Sequence, residues 1–161
     1  MRARVDEALG LLEIADLALR APHELSDGQK QRVALAGVLA MRPRLVILDE
    51  PTSLLDPKTA AELVGLVGRL RRELGTTFVV VEHRLDLLVK VADRMVVMSE
   101  GRKVLEGAPK EVLFGNEAEA YGVGVPAVTR VQKMLAADGF VEGGGLMGPA
   151  ELARALEGRR R

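Results

Sequence analysis

Cysteine and tryptophan are absent, and one tyrosine with three phenylalanines brings aromatics to only 2% of the 161 residues. Without cysteine there is no disulfide framework, no thiolate metal site and no thiol nucleophile, which fits a reducing compartment. So few aromatics argue against the stacking platforms that grip single-stranded nucleic acid. An excess of one charge is missing as well. The 23 Lys+Arg are matched by 23 Asp+Glu and are spread along the chain, so no electrostatic footprint for DNA or RNA stands out. No apolar run approaches the ~20 residues of a membrane span, and the polar start Met1-Arg2-Ala3-Arg4 does not open a signal peptide. What remains is a soluble globular composition, 48% hydrophobic and 29% charged, expected in the cytosol unless a partner holds the chain at a membrane. The length suits one ordinary domain or a piece of a larger one, and suffices to bury a core.

Apolar periodicity supplies the elements. Val5, Ala8, Leu9, Leu12 and Ala15 recur at three- and four-residue spacing, which predicts one amphipathic helix over residues 2–19. Ser26-Asp27-Gly28-Gln29 has the S-x-x-Q form of a capping box, so a second helix should start at Ser26 and run to about Met41. Leu45-Val46-Ile47-Leu48, ending in Asp49-Glu50-Pro51, reads as a strand buried on both faces. Asp56-Pro57 is a cap and first-turn pair for a helix stopped at Gly75. Thr77 to Val81 is a second buried strand, ending at Glu82-His83, and a short helix follows over Leu85 to Val91. Arg94 to Met98 and Lys103 to Leu105, joined across Glu100-Gly101, predict a hairpin. Helix, strand, helix, strand in this order implies an α/β layer fold with a largely parallel sheet. Beyond Pro109 come short helices punctuated by glycine. Pro126 opens one with Val128, Val131, Met134 and Leu135 on one face. Gly143-Gly144-Gly145 reads as a flexible joint before a last short helix, and Arg159-Arg160-Arg161 as a solvated end.

Several places carry possible chemistry. A helix start presents unpaired N–H groups and the positive end of the dipole, which makes the Ser26 helix a natural anion site, with Gly28 permitting close backbone approach. An ordinary capped helix is the plain alternative. Asp49 and Glu50 follow a strand at the sheet edge, where ligand-binding residues of open α/β folds collect; paired acids before a proline equally suit a solvated turn. His83 ends the next strand, although a lone histidine is more often structural.

Taken together, Leu25-Ser26-Asp27-Gly28-Gln29, the run Leu45 to Asp49 with Glu50, Ser53-Leu54-Leu55-Asp56, and His83 resemble the ATP-binding-cassette ATPases. In order and spacing they match that family's signature motif, Walker B strand with catalytic glutamate, D-loop and switch histidine, over residues 1 to 108. The resemblance implies an α/β fold of the P-loop NTPase (RecA-like) kind, with a parallel sheet and flanking helices. It implies ATP and Mg2+ as cofactors, Asp49 holding the magnesium, Glu50 orienting or deprotonating the attacking water, and His83 contacting the γ-phosphate. Ser26, Asp27, Gly28 and Gln29 would meet a nucleotide held by the opposite subunit, and Ser53 and Asp56 would make the D-loop contact. The partners implied are a second cassette ATPase in a head-to-tail dimer and transmembrane transporter subunits, with no nucleic acid, so that the chain sits peripherally on the inner face of the cell membrane. Asp27 replaces the motif's usual second glycine, and Leu54 the usual D-loop alanine.

No glycine in the chain is followed directly by lysine, so the phosphate-cradling loop G-x-x-x-x-G-K-[ST], Walker A, is absent. The expected fold therefore lacks the Walker A strand, which in this class lies between the strand at Thr77 to Val81 and the one at Arg94 to Met98. The expected organisation is the end of a helical subdomain with the signature helix (1–42), the C-terminal part of the ATPase core (43–108) and a C-terminal extension (109–161). Glu82-His83-Arg84-Leu85 and Gly124-Val125-Pro126-Ala127-Val128-Thr129 look like the ATPases of energy-coupling-factor transporters, which import vitamins, cobalt or nickel. Three readings follow: an ATPase subunit of an importer or a fragment of one, a soluble cassette ATPase outside transport, and a truncated remnant with idle motifs. The second would be expected to carry long coiled-coil heptads or a basic linker, and neither is present.

Overall fold

The computed structural model describes residues 1–141 and 148–157; the expected glycine joint and arginine end lie outside them. The chain divides into two compact units, Met1–Leu87 and Leu88–Arg161, each with its own two-stranded sheet.

In the first unit, α1 (Arg2–Leu11) is followed by single 3-10 turns at Ala15–Leu17 and Pro22–Glu24. The single helix expected over 2–19 is therefore broken. Glu13 turns into the left-handed region at φ 58°, and its carboxylate meets Arg69 at 2.7 Å. The carbonyl of Leu12 accepts from the Arg32 guanidinium at 3.2 Å. Tertiary partners thus take over backbone and side chain where the helical pattern still ran on.

The next helix, α2 (Asp27–Leu39), starts at Ser26 as its capping box predicts. Strand β1 (Leu45–Asp49) pairs in parallel with β2 (Thr77–Val81), in register Leu45 with Thr77 through Asp49 with Val81. Between them runs α3 (Pro57–Leu74), capped by Asp56 and closed by Gly75 at φ 63°. The register places Val46, Leu48, Phe78 and Val80 on one sheet face. Val46, Leu48 and Phe78 pack with residues of α2 and α3, among them Leu35, Leu39, Leu66 and Leu70. The strands are not buried on both faces as expected. Leu45, Ile47, Val79 and Val81 alternate to the opposite side and are 50%, 65%, 45% and 50% exposed, whereas α1, α2 and α3 pack with the residues of the other face. A short α4 (Leu85–Leu88) stops three residues before the expected Val91.

In the second unit β3 (Met95–Ser99) and β4 (Arg102–Gly107) form the predicted antiparallel hairpin. Its turn has Glu100 at φ 49° and Gly101 at φ 72°, the doubly left-handed geometry that matches strand twist. Helices α5 (Pro109–Phe114), α6 (Glu117–Ala120), α7 (Ala127–Ala137) and α8 (Pro149–Glu157) follow. Helix α7 buries the face expected of it only in part, with Val128 and Leu135 half-buried. Thr129 and Gln132 are inside, whereas Val131 and Met134 are 47% and 68% exposed. Lys133 donates to the Gly115 carbonyl at 3.0 Å.

Candidate functional site

Parallel pairing of β1 and β2 brings their C-terminal ends together, the usual ligand edge of an open α/β sheet. Asp49 ends β1 opposite Val81. Glu50 continues the ladder, its N–H donating to the Val81 carbonyl at 2.9 Å, but its φ of 44° is left-handed. A glutamate in that region is strained, and Glu50 Oε1 lies 3.0 Å from His83 Nε2, just beyond the end of β2. The two residues read separately at two strand ends thus form one pair. His83 is 84% exposed and Glu50 47%, open to a solvent-side reactant.

Residues 51–56 return the chain to α3. Ser53 and Leu54 are exposed on this loop, whereas Thr52 is completely buried. Asp56 has a clear local task. Its carboxylate accepts from the backbone N–H groups of Lys58 and Thr59 at 3.0 and 3.1 Å and from the Thr59 hydroxyl at 2.5 Å. The hydroxyl above all holds the Asp56 carboxyl below its ordinary value.

At the start of α2 the Ser26 hydroxyl accepts from Gln29 N–H at 3.3 Å, and Gln29 Oε1 accepts from Ser26 N–H at 2.9 Å. The Ser26 and Gln29 side chains are therefore engaged in the cap, which leaves the N–H groups of Asp27 and Gly28 without an intrahelical acceptor. Asp27 is ion-paired with Lys30 at 3.1 Å. A Cβ on Gly28 would come 2.5 Å from Thr59 Cγ2, so glycine is required here by the start of α3 in the same chain.

Among the described residues no three His, Cys, Asp or Glu side chains gather into a metal cage. Magnesium typically takes one or two carboxylates and completes its shell with water and phosphate. Asp49 therefore suits an ion delivered with a nucleotide, and does not by itself suit a resident one.

Four residues absent from the candidate set build the same edge. Glu82 accepts from the Thr52 hydroxyl, Arg84 donates to two carbonyls of the loop after Glu50, and Thr59 locks Asp56. Glu82 and Arg84 flank His83 and were open to notice. Nothing local distinguishes Thr52 from a turn threonine.

The profile of the ABC transporter family matches residues 1–53. The energy-coupling factor transporter ATP-binding protein EcfA1 of Symbiobacterium thermophilum is 48% identical over 140 residues, 86% of this chain and 48% of that protein. EcfA1 of Clostridium perfringens is 38% identical over 157 residues, 97% of this chain and 56% of that one. A solved structure, cbiO1 from Clostridium perfringens, described as part of the ABC transporter complex cbiONQ, superposes with a TM-score of 0.68 at 41% identity, covering 82% of this chain and 53% of that one. The chain's fold is that of the P-loop NTPase core of the ATP-binding-cassette ATPases, which it resembles along most of its length. Within that family it is similar to the ATP-binding proteins of energy-coupling factor transporters. It spans about half the length of the curated relatives it matches.

Proposed function

We propose that the chain serves in the ATP-binding, ATP-hydrolysing subunit of an ABC-type importer of the energy-coupling-factor class, coupling ATP hydrolysis to transport. Its partners in this reading are a second cassette ATPase, head to tail, and transmembrane subunits that select the substrate, so that it works on the cytoplasmic face of the membrane. No helix among the described residues is long and apolar enough to cross a membrane itself. The observation that carries the reading is the joint placement at one sheet edge of Asp49, the Glu50–His83 pair at 3.0 Å and the Ser53–Asp56 loop.

In this reading Asp49 would hold Mg2+ brought with ATP, which would supply charge neutralisation at the phosphates. Glu50 accepts the proton of, or orients, the attacking water, and His83 holds Glu50 and faces the γ-phosphate. These 161 residues carry no lysine-bearing phosphate loop, so by themselves they do not complete the nucleotide site that Asp49, Glu50 and His83 face. The signature half, Ser26 to Gln29 with Asp27 in place of a glycine, keeps the dipole of α2, and in this reading it serves a nucleotide held by the partner. Paired with an intact subunit, the chain completes one composite site and leaves the other empty.

The test is co-expression with an intact cassette subunit, followed by ATP turnover of the assembled pair. Ser26→Arg drives a bulky side chain into the phosphate position and should abolish turnover, while Glu50→Gln, on the side without a phosphate loop, should cost less than about twofold. Equal loss from both would mean that the chain supplies a catalytic site of its own. No turnover in any pair would overturn the reading.

A further inference from the structure

The Glu50–His83 contact joins two exposed side chains, and an exposed pair of this kind has little strength of its own. Something must hold the two loops in register. Beneath it, Thr52 is completely buried, and its hydroxyl donates to Glu82 Oε2 at 2.5 Å. The other oxygen of Glu82 accepts from the N–H groups of His83 at 2.9 Å and Arg84 at 3.2 Å, which fixes the turn that carries His83. The Arg84 guanidinium then reaches back, donating from Nη1 to the carbonyls of Thr52 at 3.4 Å and Leu55 at 3.2 Å. Two cross-links of opposite polarity therefore tie the 50–55 loop to the 82–84 turn.

We propose that Thr52, Glu82 and Arg84 are positioning residues whose hydrogen bonds set His83 against Glu50 and hold the D-loop to the switch turn. The value of Glu50 and His83 as a catalytic pair rests on the function proposed above; the positioning itself does not. Threonine is required at 52 for a donor in a dry position, and its isostere valine would leave the Glu82 carboxylate short of a partner. A lysine at 84 keeps the charge, but its point-like ammonium does not reproduce the planar guanidinium that spans two carbonyls.

The test needs no ATPase activity. Acylation of the two histidines of the 161-residue chain by diethyl pyrocarbonate, read by mass spectrometry at low micromolar protein, reports how available each ring nitrogen is. His23 is exposed and serves as the internal standard. The His83 to His23 rate ratio should rise about two- to tenfold in Thr52→Val and in Arg84→Lys, the weight of one lost hydrogen bond, and approach that of Glu50→Ala. Thr52→Ser, which retains the hydroxyl, should keep the ratio of the unaltered chain. Amide exchange of the α3 segment around Leu66 to Leu70 separates a loosened turn from unfolding, and Arg84→Lys, the less buried change, decides the matter if Thr52→Val unfolds. An unchanged ratio in the folded valine and lysine variants, or a rise in the serine variant equal to that in valine, overturns the proposal. It leaves the co-expression result untouched.

Discussion

At the scale of single residues, the site is shaped as much by sterics as by charge. Gly28 is the clearest case, because a methyl group there collides with Thr59 Cγ2 at 2.5 Å. Thr59 has no cheap way to turn aside, since its hydroxyl is bonded to Asp56. Alanine gains up to about 1 kcal/mol over glycine inside a helix, but overpacking costs about 1–3 kcal/mol. Gly28→Ala is therefore expected to destabilise by about 1 kcal/mol in chemical denaturation. Thr59→Ser removes the offending methyl and keeps the hydroxyl, so the double variant Gly28→Ala/Thr59→Ser should return close to the stability of Thr59→Ser alone. Additive losses would show that the collision is not what makes Gly28 necessary. Glu82 gives a second prediction. Burial pushes its carboxyl up, but the bonds from Thr52, Arg84 N–H and His83 N–H outweigh burial and leave it below the ordinary value of 4.5. A carboxyl lowered on folding contributes stability that is fully present above the unfolded value and is lost as pH falls through the folded one. Melting between pH 6 and pH 3 should therefore drop more steeply below about pH 4.5 for the unaltered chain than for Glu82→Gln. Parallel curves for the two would remove Glu82 from the acid-sensitive set.

At the scale of elements, the ends were legible and the faces were not. Ser26, Asp56-Pro57, Gly75 and the Glu100-Gly101 turn each announce a boundary through chemistry contained in a few neighbouring residues, and the structure places α2, α3 and the hairpin accordingly. The broken helix after Leu11 was not legible, because its cause is Arg32 and Arg69, 20 and 56 residues away from their partners Leu12 and Glu13. Nor was the one-sided burial of β1 and β2: a run of Leu, Val and Ile states what a strand can bury, not what is available to cover it. The candidate site divides in the same way. Asp49, Glu50 and His83 announce themselves by ending apolar runs, whereas Thr52 owes its importance wholly to Glu82, in the turn after the other strand. Helix α3 is the element on which the first unit depends most, with Leu63, Val64, Leu66, Val67 and Leu70 all buried. Leu70 is 0% exposed, so Leu70→Ala should cost about 2–5 kcal/mol. The exposed Leu74 of the same helix serves as the control, with an expected cost below 1 kcal/mol. Equal effects at the two positions in denaturant titrations would mean that α3 does not anchor this core.

At the scale of the whole molecule, two absences set the behaviour of the chain. The first is the phosphate loop. A helix N-terminus contributes at most about 2 kcal/mol to an anion, whereas even a millimolar complex requires about 4 kcal/mol. Calorimetric titration of the 161-residue chain with Mg-ATP should therefore give no micromolar binding; such binding would show that another element replaces the loop. The second is a cover for the sheet among the described residues of the first unit. Ile47 and Val81 are 65% and 50% exposed beside Leu45 and Val79, and the register sets them side by side on one face. Both strands of this sheet are also edge strands among the described residues, and no lysine, proline or inward charge interrupts Thr77-Phe78-Val79-Val80-Val81. A β-branched apolar strand with free backbone groups invites pairing with another copy, and an apolar patch on the adjoining face adds area to whatever pairs there. The chain on its own is therefore expected to self-associate or to melt broadly, and the melting temperature should depend on protein concentration. Val79→Lys places a charge on the bare face without touching the packed one, so it should reduce association while leaving the packing of Val46 and Phe78 intact. Sedimentation velocity across a hundredfold concentration range checks this directly. A sharp, concentration-independent, two-state transition of a monomer would mean that two strands with one face bare are sufficient, and that neither the edge nor the face needs a partner.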